Sequence, residues 1–189
     1  MGREFELKYS ATHAQQQAIY KQFENWTEIA METTYYDTAE HGLSGKKCTL
    51  RCRQENGVAV CTLKTPAGGF GRGEWDVESS WTEEAVLHLF TAAGQAPVSF
   101  ASLHAVCGAR FTRLAKTVEL PRCTVEIALD KGVLLGGNQE APLCEVEVEL
   151  KSGEEAAAAA WAEDLAARNG LQPERNSKFR RASLLARGE

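Results

Sequence analysis

Residues 144–150 read Cys144-Glu145-Val146-Glu147-Val148-Glu149-Leu150, with three glutamates alternating with apolar residues. A period of two marks a β-strand, whose successive side chains point to opposite faces. Glu145, Glu147 and Glu149 therefore share one face, and Cys144, Val146, Val148 and Leu150 share the other. The same alternation recurs outward from this strand. Near the N-terminus Glu4, Glu6 and Lys8 oppose Phe5, Leu7 and Tyr9. Arg51 and Arg53 oppose Cys48, Leu50 and Cys52, while Thr62 and Lys64 oppose Cys61 and Leu63. Arg72, Glu74 and Asp76 oppose Trp75 and Val77, and Glu126 and Asp130 oppose Cys123, Val125, Ile127 and Leu129.

Strands are expected at residues 3–9, 33–38, 47–54, 58–65, 72–80, 111–119, 122–130 and 143–151, with a short one near 133–135. Glu55-Asn56-Gly57 closes a hairpin, because Asn-Gly suits the left-handed backbone of a tight turn. Residues 67–71 read as a flexible connection. Helices are expected at 12–25 behind a Thr12 cap, and from Thr82 to a stop at Gly94. Others are expected at 98–107, at 153–169 behind a Ser152/Glu155 capping box with a stop at Asn169-Gly170, and at 176–187. Strands joined by turns imply a mainly antiparallel sheet, so the fold class is α+β.

The chain has 189 residues, 43% hydrophobic and 25% charged, which suits one globular domain. Its net charge of −5 argues against a general nucleic-acid binder, whose surface carries a basic surplus. No apolar run reaches membrane-span length and the N-terminus has no apolar signal core, so the expected location is cytoplasmic. The six cysteines form no C-x-x-C pair and no zinc spacing, and read as buried thiols.

An amphipathic sheet with a core on one side and water on the other would explain the alternation alone. Two details point elsewhere. The polar faces are almost wholly charged, and the charges stand in single-sign blocks, three Glu on one strand and two Arg on another. Like charges on one face repel, whereas a solvated surface intersperses signs. Blocks of carboxylate facing blocks of Arg and Lys suit cations and phosphates bound together: Arg forks and Lys ammonium groups hold phosphate oxygens, and carboxylates hold a divalent metal that bridges to them. Closing the strands into a barrel would put the charged face inside and the apolar face under the helices.

The ordered set Glu4-Phe5-Glu6-Leu7-Lys8, Tyr35-Tyr36-Asp37-Thr38, Leu50-Arg51-Cys52-Arg53, Thr62-Leu63-Lys64, Arg72-Gly73-Glu74, Glu126 to Asp130, residues 144–150 and Asn176-Ser177-Lys178 resembles the CYTH domains of the triphosphate tunnel metalloenzyme superfamily, most closely the bacterial inorganic triphosphatase branch. The resemblance implies a closed antiparallel barrel of about eight strands forming a charged tunnel, with helices packed outside. It implies a single CYTH domain over residues 1–189, with no CHAD domain after it. It implies Mg²⁺ or Mn²⁺ as cofactor and a small-molecule triphosphate as partner, hydrolysed to pyrophosphate and phosphate, with no nucleic acid or membrane partner.

By the same resemblance Glu4, Glu6, Glu147 and Glu149 are the leading metal ligands, followed by Glu74, Glu145 and Asp130; Asp130 would orient basic neighbours or a metal-bound water. Lys8, Arg51, Arg53, Lys64, Arg72, Arg113 and Lys178 would hold the triphosphate. Glu4, Glu6 and Lys8 are the catalytic candidates, with Lys8 either a phosphate ligand or a base of lowered pKa. Arg110 and Lys116 each lie three residues from Arg113 and so fall on the opposite face unless a bulge intervenes. An adenylate cyclase or thiamine-triphosphatase would use the same phosphate grip, and a non-catalytic polyphosphate or nucleotide module would keep the cations. No aromatic cluster is evident on the expected inner face, which favours the inorganic substrate. A carrier of an apolar ligand would instead turn Phe5, Leu7, Val146 and Val148 inward.

Overall fold

The structure is a computed structural model that describes residues 2–66 and 72–189, with backbone alone at 2–4 and 72. The connection expected at 67–71 and the side chains of Glu4 and Arg72 lie outside the described residues. Ten strands form one antiparallel sheet: β1 (Gly2–Glu4), β2 (Glu6–Ser10), β3 (Thr27–Thr38), β4 (Thr49–Glu55), β5 (Val58–Pro66), β6 (Arg72–Glu78), β7 (Leu103–Glu119), β8 (Cys123–Gly136), β9 (Gln139–Gly153) and β10 (Gln172–Pro173). Four α-helices accompany them: α1 (His13–Tyr20), α2 (Glu83–Ala92), α3 (Glu155–Asn169) and α4 (Lys178–Ala186).

The expected closed barrel of about eight strands is not formed. The strand order is β1-β6-β5-β4-β3-β7-β8-β9-β2-β10, an open sheet whose end strands are β1 and β10. Joining β1 and β2 across their break at Phe5 would reduce the count to nine. The physical reason lies at the N-terminus. The pairing changes sides at Phe5, whose carbonyl accepts from Leu150 N at 2.9 Å: residues 2–4 pair with β6 and residues 6–10 with β9. The second edge of β2 is taken by β10, through Gln172 opposite Ser10 and Pro173 opposite Tyr9. The sheet is nonetheless curled, because one face of β2, β3, β4, β5, β6, β7 and β9 lines a single cavity.

The apolar faces identified by alternation lie on the convex side. Phe5, Leu7, Tyr9, Val125, Ile127, Leu129, Val146 and Val148 pack under α1 and α3, against Ile19, Ala162 and Leu165. Leu50, Cys52, Cys61, Leu63, Trp75 and Val77 pack under α2, against Val86, Leu89 and Phe90. Five of the six cysteines are buried, Cys144 is half-buried, and all six are free thiols. Phe5, Leu7, Val146 and Val148 therefore do not turn inward, as the apolar-ligand carrier required.

The local signals explain most element ends. The Thr12 hydroxyl accepts from Gln15 N at 3.3 Å while the Gln15 side chain accepts from Thr12 N at 2.7 Å, so α1 begins with a capping box. Thr82 caps α2 through Ala85 N at 3.2 Å. Asn56 and Gly57 both adopt positive φ, as the tight hairpin requires. Two expectations fail, and a third is met in longer form. Residues 98–107 form a 3-10 turn at Phe100–Ser102 and then enter the long strand β7, pulled into register by β3. The Ser152/Glu155 box is not made, because β9 runs on to Gly153 and Glu154 becomes the uncapped N-terminal residue of α3. The segment near 133–135 is a continuation of β8.

The helices are not all outside. α4 lies on the charged, concave side, where Ala182, Phe179 and Leu185 pack on Met31, Tyr35, Phe111, Leu134 and Leu143. It seats directly on the sheet at Gly136, where a β-carbon would stand 2.5 Å from Ala186 N and 2.6 Å from Ala182 O. Gly136→Ala is expected to lower unfolding free energy by about 2 kcal/mol by lifting α4 from the sheet, as read by urea denaturation.

Candidate active site

The cavity has a volume of about 1180 Å³. Among the described residues, eleven Lys and Arg and seven Asp and Glu line it, in a chain whose overall charge is −5. Alternation puts them there: the charged faces of the strands are the faces that curl around the space.

The deepest layer is an ion network. Asp130 is fully buried, and its carboxylate accepts from Arg113 Nε at 2.8 Å and Nη2 at 2.7 Å, with Lys178 Nζ at 2.7 Å. Glu147 accepts from Lys178 at 2.7 Å and from Arg113, and Lys8 Nζ stands 3.5 Å from it. Glu145, with no exposed surface, accepts from Lys178 and from Arg181. Oxygens of Asp130, Glu145 and Glu147 lie within 4.8 Å of one another. Three carboxylates this close are tolerable only because three cations stand among them. Lys178 and Arg113 also lie over the Phe111 ring, 5.1 and 6.0 Å from its centroid.

The network sets the charge states. Burial opposes ionisation of Glu147, but Lys178, Arg113 and Lys8 outweigh it and hold its carboxyl well below the usual range. Burial pushes the Glu145 carboxyl up to about 7, against the pull of Lys178 and Arg181. For Lys8 burial favours the neutral amine, yet Glu147 and Glu6 outweigh it and raise its pKa above the ordinary value. The lowered pKa expected of a basic Lys8 is therefore not found; its ammonium is held protonated, 2.9 Å from Glu6.

A second layer lies nearer the opening. Glu6 pairs directly across the ladder with Glu149, and Lys8 with Glu147. On the adjacent strands β4, β5 and β6, Arg51 and Lys64 approach Glu74 at 3.5 and 3.4 Å, Lys64 as its direct ladder partner. Burial lowers the Arg53 pKa, and the neighbouring Arg51 and Arg113 charges lower it further, against Glu55. Cations that repel one another in a half-buried space make a site where an anion is stabilised.

The structure thus brings Glu6, Lys8, Arg51, Arg53, Lys64, Glu74, Arg113, Glu147, Glu149 and Lys178 to one cavity, with Asp130 and Glu145 bonded to its cations from beneath. The backbones of Glu4 and Arg72 face one another in the β1–β6 ladder. Arg110 and Lys116 stay apart, because β7 pairs with β8 without a shift from Gly108 to Glu119. Arg110 is exposed beside Glu140 at 3.3 Å, and Lys116 borders a separate small cavity. Sequence reading missed Arg181, although its place one turn after Lys178 on α4 was the available signal. It also missed an inner aromatic group. Tyr35 and Phe179 lie 5.2 Å apart, with Phe111 in the same cluster; all three help seat α4 and also line the cavity.

Residues 2–183 match the CYTH domain family model. The chain belongs to the CYTH domain family. Over 132 residues, 66% of this CYTH chain and 37% of the relative, it is 33% identical to the inorganic triphosphatase of Haemophilus influenzae. The chain thus spans little more than a third of that relative's length. The structure resembles that of PH1819 from Pyrococcus horikoshii, with a TM-score of 0.67 at 23% identity, covering 98% of this chain and 99% of that one. It also resembles the putative adenylyl cyclase HpAC1 from Hippeastrum, a structure described as revealing a dominant triphosphatase activity, with a TM-score of 0.68 at 16% identity and coverage of 100% and 97%. At these identities the two structures speak for a shared fold. No helix among the described residues is long and apolar enough to cross a membrane.

Arg181→Ala removes one of the two cations on buried Glu145. It is expected to lower stability by about 3 kcal/mol, while Arg181→Lys recovers part of the loss, both read by chemical denaturation.

Proposed function

We propose that this CYTH chain hydrolyses inorganic triphosphate to pyrophosphate and phosphate with the aid of Mg²⁺ or Mn²⁺. The observation that carries the reading is the cationic cavity within an acidic chain, edged on its β2–β9 side by Glu6, Glu147 and Glu149. The similarity to the Haemophilus influenzae inorganic triphosphatase supports the same substrate.

The donor chemistry fits a hard divalent cation. Glu6 and Glu149 face each other on neighbouring strands, where two like charges repel, and Glu147 shares the face. Glu6 and Glu149 would hold the metal, with Glu147, which also bonds Lys178 and Arg113, as the ligand shared with the floor network; when bound the metal neutralises phosphate charge and lowers the pKa of a coordinated water. Asp130 and Glu145 have their oxygens committed to Arg113, Lys178 and Arg181, and they serve to anchor those cations. Glu74 plays the matching part for Arg51 and Lys64.

Arg51, Arg53 and Lys64 bind the phosphate chain from one wall, and Arg113, Lys178 and Lys8 from the other. Because Lys8 is held protonated, it orients a phosphoryl oxygen and offsets developing charge instead of accepting the water's proton. The guanidinium groups stabilise the leaving pyrophosphate as its charge grows. Anchored cations need no rearrangement at that moment, which is where fixed electrostatics contribute most.

Phosphate release measured over triphosphate, ATP and thiamine triphosphate, each with Mg²⁺ and with Mn²⁺, tests the assignment. Triphosphate is expected to react at least about tenfold faster than the others and not at all in EDTA. Preference for ATP would favour a cyclase-type enzyme, and binding without release a non-catalytic module. Glu6→Gln is expected to lower turnover about 100-fold with an unchanged circular dichroism spectrum; near-normal turnover would remove Glu6 from the metal site.

A further inference from the structure

A buried amide stands behind the floor of the cavity, on the other side of the sheet. Gln16 and Ile19 are the buried residues of α1, which packs on the convex face. A buried amide is costly unless its donors are satisfied. Gln16 Nε2 donates to the backbone oxygen of Asp130 and to that of Glu145, each at 2.9 Å. Both partners are carbonyl oxygens, so the nitrogen of the amide is the atom that faces them. Asp130 and Glu145 stand opposite one another in the β8–β9 ladder. Counted from the two-residue turn between Gly136 and Gln139, they fall at a hydrogen-bonded pair. Each carbonyl therefore takes one ladder bond and a second bond from Gln16. The segment around this point is held by Ala11 N to Cys144 O at 3.1 Å and by Gln15 Nε2 to Gly170 O at 2.8 Å.

The same two residues hold the floor cations with their side chains on the concave face. Asp130 bonds Arg113 and Lys178, and Glu145 bonds Lys178 and Arg181. An apolar side chain of equal length would fill the space under α1. What the amide adds is a tie between the backbones of the two floor residues. We propose that Gln16 is a positioning residue for the anion site and acts through the sheet. Its amide fixes the β8–β9 backbone at Asp130 and Glu145, and thereby the places of Arg113 and Lys178 in the cavity. The role rests on the triphosphate reading for the identity of the anion. A binding constellation tolerates displacements of only about 0.5 Å. Asp130 and Glu145 have no exposed surface, so their side chains have little room to absorb a backbone shift.

The Arg113 Nε–H, which donates to Asp130 at 2.8 Å, gives a readout by proton–nitrogen NMR, its signal assigned by its loss in Arg113→Lys. Gln16→Met keeps the length and removes both donors, and Ile19→Val on the same buried face of α1 is the packing control. Gln16→Met is expected to speed exchange of the Arg113 Nε–H with water at least about tenfold. It is expected to weaken triphosphate binding about fivefold, by calorimetry in metal-free buffer. Ile19→Val is expected to change neither by more than about twofold. A thermal melt identifies a misfolded variant, and Gln16→Asn, too short to reach both carbonyls, then replaces it with the same expected changes. Unchanged Arg113 exchange or unchanged triphosphate affinity in a folded Gln16 variant, or equal changes in Ile19→Val, would overturn the role. Failure of the unaltered chain to bind or hydrolyse triphosphate contradicts the proposed function instead, and Arg113 exchange alone then decides on Gln16.

Discussion

Asp130, buried without exposed surface, holds Arg113 in a bidentate grip and touches Lys178, and through these two cations it is joined to Glu147 and Glu145. This network is the constraint on which the rest depends. Removing one partner of a buried ion pair costs about 3–5 kcal/mol, because the other is left uncompensated. The arrangement is therefore all-or-none, and it fixes the position of each cation. It also ties α4 to the sheet, since Lys178 and Arg181 of the helix end on carboxylates of β8 and β9.

The sheet makes such a network possible. A two-residue period turns every second side chain inward, and the curl collects those side chains in one space. The opposite faces bury apolar side chains under α1, α2 and α3, so the hydrophobic effect holds a surface whose inner charges repel one another. Two layers of carboxylates follow with different tasks. Those in the floor are bonded to Arg113, Lys178 and Arg181, while Glu6 and Glu149 face each other across the β2–β9 ladder, each beside a lysine, Lys8 and Lys151.

Much of this was legible in the sequence because parity is local. The assignment of Glu145, Glu147 and Glu149 to one face and Val146 and Val148 to the other needed only alternation, and Asn56-Gly57 fixed its hairpin by backbone sterics. The breaks were not legible. Closure failed at Phe5 and at β10, where a two-residue pairing of Gln172 and Pro173 decides the edge of β2, and no periodic signal marks so short a strand. The stretch 98–107 carries apolar residues that suit either element, and pairing with β3 decided for strand. The position of α4 inside the curl depended on Gly136, whose missing side chain leaves no pattern. The direction of the Lys8 shift was hidden because it depends on Glu147, distant in sequence and adjacent only through the β2–β9 register.

The outer carboxylates are proposed to take the metal, while those of the floor anchor cations. A crystal structure of the protein soaked with Mn²⁺ and triphosphate, with the ion located by anomalous scattering, tests it most directly. Mn²⁺ is expected on Glu6, Glu147 and Glu149, with phosphate oxygens on Arg51, Arg53, Lys64 and Arg113 and with Lys178 still bonded to Asp130 and Glu145. Mn²⁺ seated among Asp130, Glu145 and Glu147 with Lys178 displaced would contradict it.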